Sequence, residues 1–302
     1  MKTEGKRRAS AFALLALANL LWAGNWVAGR ALRDAFDPVS LNFLRWLVAV
    51  VALAPFALPA VIQARATIAR HAALLALLAL AGVALFQSLV YLGLQTTTAV
   101  NAVLLNSSAP LFIVLCSWVL ERQHATRRQF AGMLLSLAGI VVIMTHGELE
   151  RLRAFEFHAG DAWILLALPV WGLYSVLLKR RPTQLGGVPF LFVIALTGTA
   201  MLLPPLALDG LRLPRTAAET AGVLYIGLAA SVVAFICWNR GVAVVGANMA
   251  GFTLHLLPAF GTLLAIAFLG ETFGAFHAVG IAIVIAGVVL ATRVSVPRET
   301  AR

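Results

Sequence analysis

Apolar residues run along this chain in stretches of about 20, each ended by a short cluster of charged or turn-forming residues. Runs of that length match the hydrocarbon thickness of a bilayer and read as spanning helices. The breaks predict ten of them, at about 10–31, 38–62, 72–95, 98–120, 127–145, 160–178, 186–207, 218–239, 244–269 and 274–292. The expected fold is therefore all-α and integral to a membrane, with ten transmembrane helices. The first run follows Lys6, Arg7 and Arg8 as a signal peptide would, but it is too long and too rich in Trp and Asn for the apolar part of one.

The pattern is written twice. A shift of 148 residues pairs Gly93 with Gly241, Ala99 with Ala247, Ala102 with Ala250 and Pro110 with Pro258, each in the same apolar setting. After each copy comes a glutamate, Glu121 or Glu271, and then a helix with glycines seven apart: Gly132 and Gly139, then Gly280 and Gly287. The charged linker falls between the copies, so the expected organisation is a first five-helix repeat over 1–146, an extracytoplasmic linker over 147–159 and a second repeat over 160–302. Five is odd, so the second copy enters the membrane from the opposite face and the repeat is inverted. Inverted repeats point to a transporter whose site lies near the bilayer midplane, where the halves meet.

Composition sharpens this. With 61% hydrophobic residues, 12% charged and a mean hydropathy of +0.93, the chain has far less charge than the roughly 25% of a soluble domain. Cys116 and Cys237 both sit in apolar runs and indicate neither a disulfide framework nor a metal site. The net charge of +11 is spread in short clusters between apolar runs, so it describes membrane orientation and no nucleic-acid surface. Most basic residues fall on one side if the N-terminus is cytoplasmic, which predicts both termini in the cytoplasm and a multi-pass protein of the bacterial inner membrane.

Trp22 and Trp171 in the first helix of each half, the Pro38 to Arg45 entry to helix 2, Ala109-Pro110 in helix 4 and the closing Glu-loop-Gly pattern together resemble the drug/metabolite transporter superfamily, in its EamA-type ten-helix exporters. Overall similarity is nearest to bacterial exporters of aromatic amino acids. The resemblance implies a basket of ten helices around a central cavity, with helices 5 and 10 at its far side.

Polar and aromatic groups at membrane depth are costly unless they face protein or a wet cavity. Asn19, Trp22 and Trp26 share one face of helix 1, with Asn25 beside them. Gln87 and Tyr91 lie one turn apart in helix 3, where Tyr91 also fits an interfacial belt. Helix 4 carries Asn101, Asn106, Ser107 and Ser108 ahead of Pro110, which lacks an amide donor and frees a carbonyl near residue 106. Helix 9 carries Asn248 and His255 ahead of Pro258. His255 is read either as a structural residue or as a cavity group that donates a hydrogen bond or carries a proton. Trp163, Trp171, Tyr174 and Trp238 complete the candidate substrate-binding set, Trp163 fitting a belt equally well. Arg45 is expected to snorkel outward to Asp34 or Asp37.

No carboxylate lies in the middle of any predicted span, which disfavours an exporter of quaternary cations and favours neutral or zwitterionic solutes with aromatic or large apolar side chains. There is no phosphate loop with its lysine, no nucleophile paired with a base and no metal cluster, so neither a cofactor nor an enzymatic activity is expected. The expected function is export of aromatic and other large neutral amino acids, or similar small metabolites, by alternating access. The alternatives are a broad drug or metabolite exporter and a non-transporting membrane scaffold. The expected partners are a small-molecule substrate and the lipid bilayer. Monomer and homodimer both stay open, because the glycine faces of helices 5 and 10 fit packing within one chain or between two.

Overall fold

The computed structural model describes residues 2–97, 102, 105–145, 147–148, 150, 158–269 and 274–292. These residues are helical or in short connections throughout, with no strand among them. In chain order the main helices are α1 (Lys2–Ala31), α2 (Pro38–Gln63), α3 (Ala72–Thr96), α4 (Ala109–Glu121), α5 (Arg127–Thr145), α6 (Ala159–Arg180), α7 (Gly187–Leu208) and α8 (Ala217–Val245). Then α9 runs through Ala247–Phe252, a 3-10 turn at Thr253–His255 and Leu256–Leu269, and α10 is Ala275–Thr292. Eight of them, all but α4 and α9, are long and apolar enough to cross a membrane unbroken.

The helix starts are set by local chemistry. Asp37 caps α2 by accepting from the Ser40 amide at 2.8 Å, with Pro38 in the first turn where its missing amide costs nothing. Thr126 and Gln129 exchange bonds at the start of α5, and Thr216 accepts from the Glu219 amide at the start of α8. Between α8 and α9 the chain turns at Gly246, whose φ of 86° a side chain would strain.

Two of the ten expected helices, α4 and α9, are irregular. The chain leaves the helix in a turn at Ser107 and Ser108 before α4 begins at Ala109, and α9 changes to a 3-10 turn just before its proline. The cause is shared. Pro110 and Pro258 each remove one amide and crowd the preceding turn, so the helix tightens ahead of them.

Two further irregularities were not foreseen. α3 contains a π-helical segment at Leu80–Leu85 and α8 one at Ile226–Val233. The 148-residue shift carries the first onto the second. Neighbouring side chains occupy the carbonyls these wide turns free: the Asn42 amide donates to the Val83 and Ala84 carbonyls at 3.0 and 3.1 Å, and the Trp22 indole to the Ala230 carbonyl at 3.0 Å.

The packing interleaves the two halves. α1 lies against α8 as α6 lies against α3, and α1 meets α9 as α6 meets α4; α2 packs on α7 and α5 on α10. The last pair is a backbone contact. Gly132 and Gly287 face each other, as do Gly139 and Gly280, and a Cβ added to Gly139 would stand 2.7 Å from both the Gly280 carbonyl and the Val284 amide. Of the two packing arrangements open from sequence, these glycine faces take the one within the chain. Large apolar side chains such as Val51, Phe56, Ile62 and Val119 point outward, as they do where lipid is the solvent.

Candidate functional site

Where α1, α3, α6, α8 and the breaks of α4 and α9 converge, the chain encloses a cavity lined by five rings, Trp22, Trp26, Phe86, Trp171 and Phe235, and three amides, Asn25, Gln87 and Asn106. Val90, Leu254 and Leu257 close it. No ionised side chain lies on its wall among the described residues. The repeat is visible in its construction: shifted by 148, Gln87 falls on Phe235 and Asn106 on Leu254, while Trp22 and Trp171, 149 apart, touch with centroids 5.2 Å apart and rings nearly perpendicular. Edge-to-face pairs of this kind contribute about 0.5–1.5 kcal/mol beyond their buried area.

The rings are held from behind. Trp171 stacks on Tyr174 at 5.2 Å and meets Phe86 at 4.8 Å, while Phe235 sits edge-on to Trp46 at 5.0 Å. Tyr174 donates its hydroxyl hydrogen to Asn239 at 2.8 Å, and Gly82, in the π segment of α3, leaves room for the Tyr174 ring. The cavity leaves about 30 Å³ for the centres of water-sized molecules. That is room for about two waters at roughly 10–15 Å³ each, so a solute of amino-acid size enters only if the walls part.

Of the candidates read from sequence, Trp22, Trp26, Gln87 and Trp171 are on the wall. Tyr91, Tyr174 and Trp238 are fully buried one layer behind it. Asn19 is buried too, donating to the Leu15 carbonyl and the Thr253 hydroxyl. Trp163 is 42% exposed on the outer surface of α6. Asn248 lines a separate cleft of about 420 Å³ with Gln123, Lys179 and Met249. Asn101 lies outside the described residues.

Ser107 and His255 do something the sequence did not suggest. They are counterparts under the 148-residue shift, and they are bonded to each other: His255 Nε2 donates to the Ser107 carbonyl at 2.9 Å, while Nδ1 meets the Ser136 hydroxyl. Both ring nitrogens are thus engaged, and the imidazole ties the breaks of α4 and α9 to α5. His255→Ala is expected to cost about 1–3 kcal/mol of stability, the penalty for orphaning buried partners, and to leave the pH dependence of transport as in wild type. Thermal unfolding of the detergent-purified protein and flux at two pH values check this.

Arg45 corrects a second expectation. It does not reach Asp34 or Asp37, which pair with Arg33 at 3.4 Å and Arg212 at 3.8 Å. Its guanidinium, 1% exposed, turns inward to Ser231, Tyr91 and Asn25. The helix was long enough that the outer acids lay beyond reach, and the serine of the α8 π segment lay within it.

The wall residues that sequence reading did not name are Phe86, Val90, Phe235, Leu254 and Leu257, while Asn25 and Asn106 were named only beside the chosen candidates. Two of them were within reach of it, because the 148-residue shift applied to Gln87 and Asn106 names Phe235 and Leu254.

The EamA-like transporter family matches this chain twice, over residues 9–145 and 158–293. A probable terminal-alkyne amino-acid exporter of Streptantibioticus cattleyicolor is 31% identical over 94% of each chain. An uncharacterized transporter of Archaeoglobus fulgidus is 30% identical over 92% of this chain and 96% of its own. A solved crystal structure shares the fold with a TM-score of 0.74 at 21% identity, covering 94% of this chain and 96% of that one.

Proposed function

The chain belongs to the EamA-like transporter family, and on that premise we propose that it exports aromatic and other large neutral amino acids, or similar small metabolites, by alternating access. The observation that carries the reading is the cavity wall, five rings and three amides without an ionised side chain. Rings of this kind take up an apolar or aromatic side chain. The amides and the carbonyl at Asn106, left without its amide partner by Pro110, suit an ammonium and a carboxylate.

The proposed architecture is ten membrane crossings in two inverted five-helix copies divided at 147–159, with both termini in the cytoplasm of a bacterial cell. The twofold family match and the exchange of partners between halves support the copies, and the clustering of cations supports the orientation. The amino-acid exporter among the relatives supports the solute class. Because the cavity is too small for such a solute, transport requires the halves to rock apart around it.

Counterflow of labelled phenylalanine and methionine in liposomes holding the purified protein tests the reading, with a cationic dye as competitor. Saturable flux of both amino acids that the dye does not inhibit is the expected result. Flux of the dye alone would replace it with a broad drug exporter, and no flux of any solute with a scaffold.

A further inference from the structure

We propose that Arg45 makes the cavity selective for solutes that carry a free carboxylate, acting through Asn25 as a positioning residue behind the wall. This rests on the cavity being the transport site and deepens that reading by naming which end of the solute is read.

A guanidinium at membrane depth is costly without an anion beside it. Arg45 is 1% exposed and has no carboxylate partner among the described residues. Its Nε donates to the Ser231 hydroxyl at 2.7 Å and its Nη1 to the Tyr91 hydroxyl at 3.1 Å, both neutral. The Trp46 and Tyr91 rings at 5.4 and 6.0 Å offset part of the charge but do not neutralise it. Nη2 donates to no described residue.

The charge is passed to the cavity. Asn25 Oδ1 accepts from both Arg45 Nη1 at 3.5 Å and the Tyr91 hydroxyl at 3.2 Å. With its oxygen turned to the cation, the group that Asn25 brings to the wall is its amide donor, polarised further by those two bonds. A second observation points the same way. Gln87, one turn from Tyr91 on the same helix, lines the cavity and is 6% exposed, yet its Nε2 makes no well-formed hydrogen bond, only a weak one to the Tyr91 hydroxyl. Two amide donors, that of Asn25 and the weakly engaged one of Gln87, thus line a wall with an uncompensated positive charge behind it. An acceptor bearing one negative charge satisfies all three, and in an α-amino acid that group is the carboxylate.

Quenching of intrinsic tryptophan fluorescence in the purified protein reads ligand binding directly, since three tryptophans line the cavity. The probes are phenylalanine, 3-phenylpropanoate, phenylalanine amide and phenethylamine. Phenylalanine and 3-phenylpropanoate are expected to bind, and the two probes without a carboxylate to bind at least about tenfold more weakly, the scale of a unit charge interaction in a partly buried site. Arg45→Gln should erase the ratio between phenylalanine and its amide, and Arg45→Lys should restore part of it. That ratio does not depend on how much protein folds, and a purely structural arginine would leave it unchanged.

Equal binding of phenylalanine and phenylalanine amide to wild type overturns the inference, as does failure of every carboxylate to bind. If Arg45→Gln yields no folded protein, the wild-type series decides alone. Carboxylate binding without phenylalanine flux would leave the inference standing and remove the proposed amino-acid export.

Discussion

Trp26→Ala is expected to lower phenylalanine flux by about 30-fold, the effect of losing roughly 2 kcal/mol of contact at a central tryptophan, with the yield of folded protein unchanged. Trp26 lines the cavity yet is only partly buried, so its removal takes a face from the solute and little from the core. Trp171 also lines the cavity and would be the other choice for this experiment. Its surroundings rule that out: Trp171 touches Trp22, Phe86, Tyr174, Phe235 and Trp238, and truncating a ring so enclosed costs about 3–5 kcal/mol of stability. Loss of flux in Trp171→Ala would therefore mix lost protein with lost binding. Trp163→Ala is the control, because that ring lies on the outer surface. Flux per folded molecule, with folded protein counted by size-exclusion chromatography, checks the comparison. Equal flux in Trp26→Ala and Trp163→Ala would remove the cavity from the transport path.

Gly139→Val should prevent most of the protein from folding. The atoms a Cβ would strike are the Gly280 carbonyl and the Val284 amide, both backbone, at 2.7 Å, with the Ile283 side chain at 3.0 Å. Backbone held in two helices has no rotamer by which to yield, so α5 and α10 would have to separate. Overpacking of well-fitted interiors costs about 1–3 kcal/mol, and a β-branched residue against backbone belongs at the top of that range. Gly261→Ala in α9, where nothing lies within 4 Å of the added atom, should be tolerated and gain up to about 1 kcal/mol in helix propensity. Melting temperatures of the two variants in the same detergent give the comparison. A Gly139→Val protein as stable as Gly261→Ala would mean that the two helices do not meet as closely as the structure has them.

The long apolar helices were legible in the sequence because lipid imposes a length and a composition on a span, and both survive without any knowledge of packing. The repeat was legible because glycine and proline mark backbone constraints that both copies share. The cavity was legible in part. Trp22, Trp26, Gln87 and Trp171 could be found because polar and aromatic groups at membrane depth require a reason. Side chains such as Phe86 and Leu257 could not, since an apolar residue in an apolar run carries no mark of the face it takes. Arg45 was misread for a different reason. Snorkelling assumes that the nearest relief for a buried cation is the interface, whereas here hydroxyls and an amide on three other helices lay closer. Nor did His255 announce that its partner would be its own counterpart in the other half, a contact that arises only once the copies are brought face to face.

The wide turns in α3 and α8 have a bearing on how this protein tolerates change in length. A π turn holds one residue more than the α turn it replaces, and each residue advances an α-helix by about 100°. Removing a single residue between Leu80 and Leu85 would let the wide turn close to ordinary pitch and absorb the loss locally, leaving Phe86, Gln87 and Val90 on the cavity side, whereas the same deletion in regular helix would swing everything beyond it by that angle. The same loss between Ile226 and Val233 would leave Phe235 facing the cavity. Matched single-residue surpluses in the two copies thus act as length buffers beside the cavity, so that a deletion is absorbed within them and would reassign lipid-facing and cavity-facing positions only where the helix is regular.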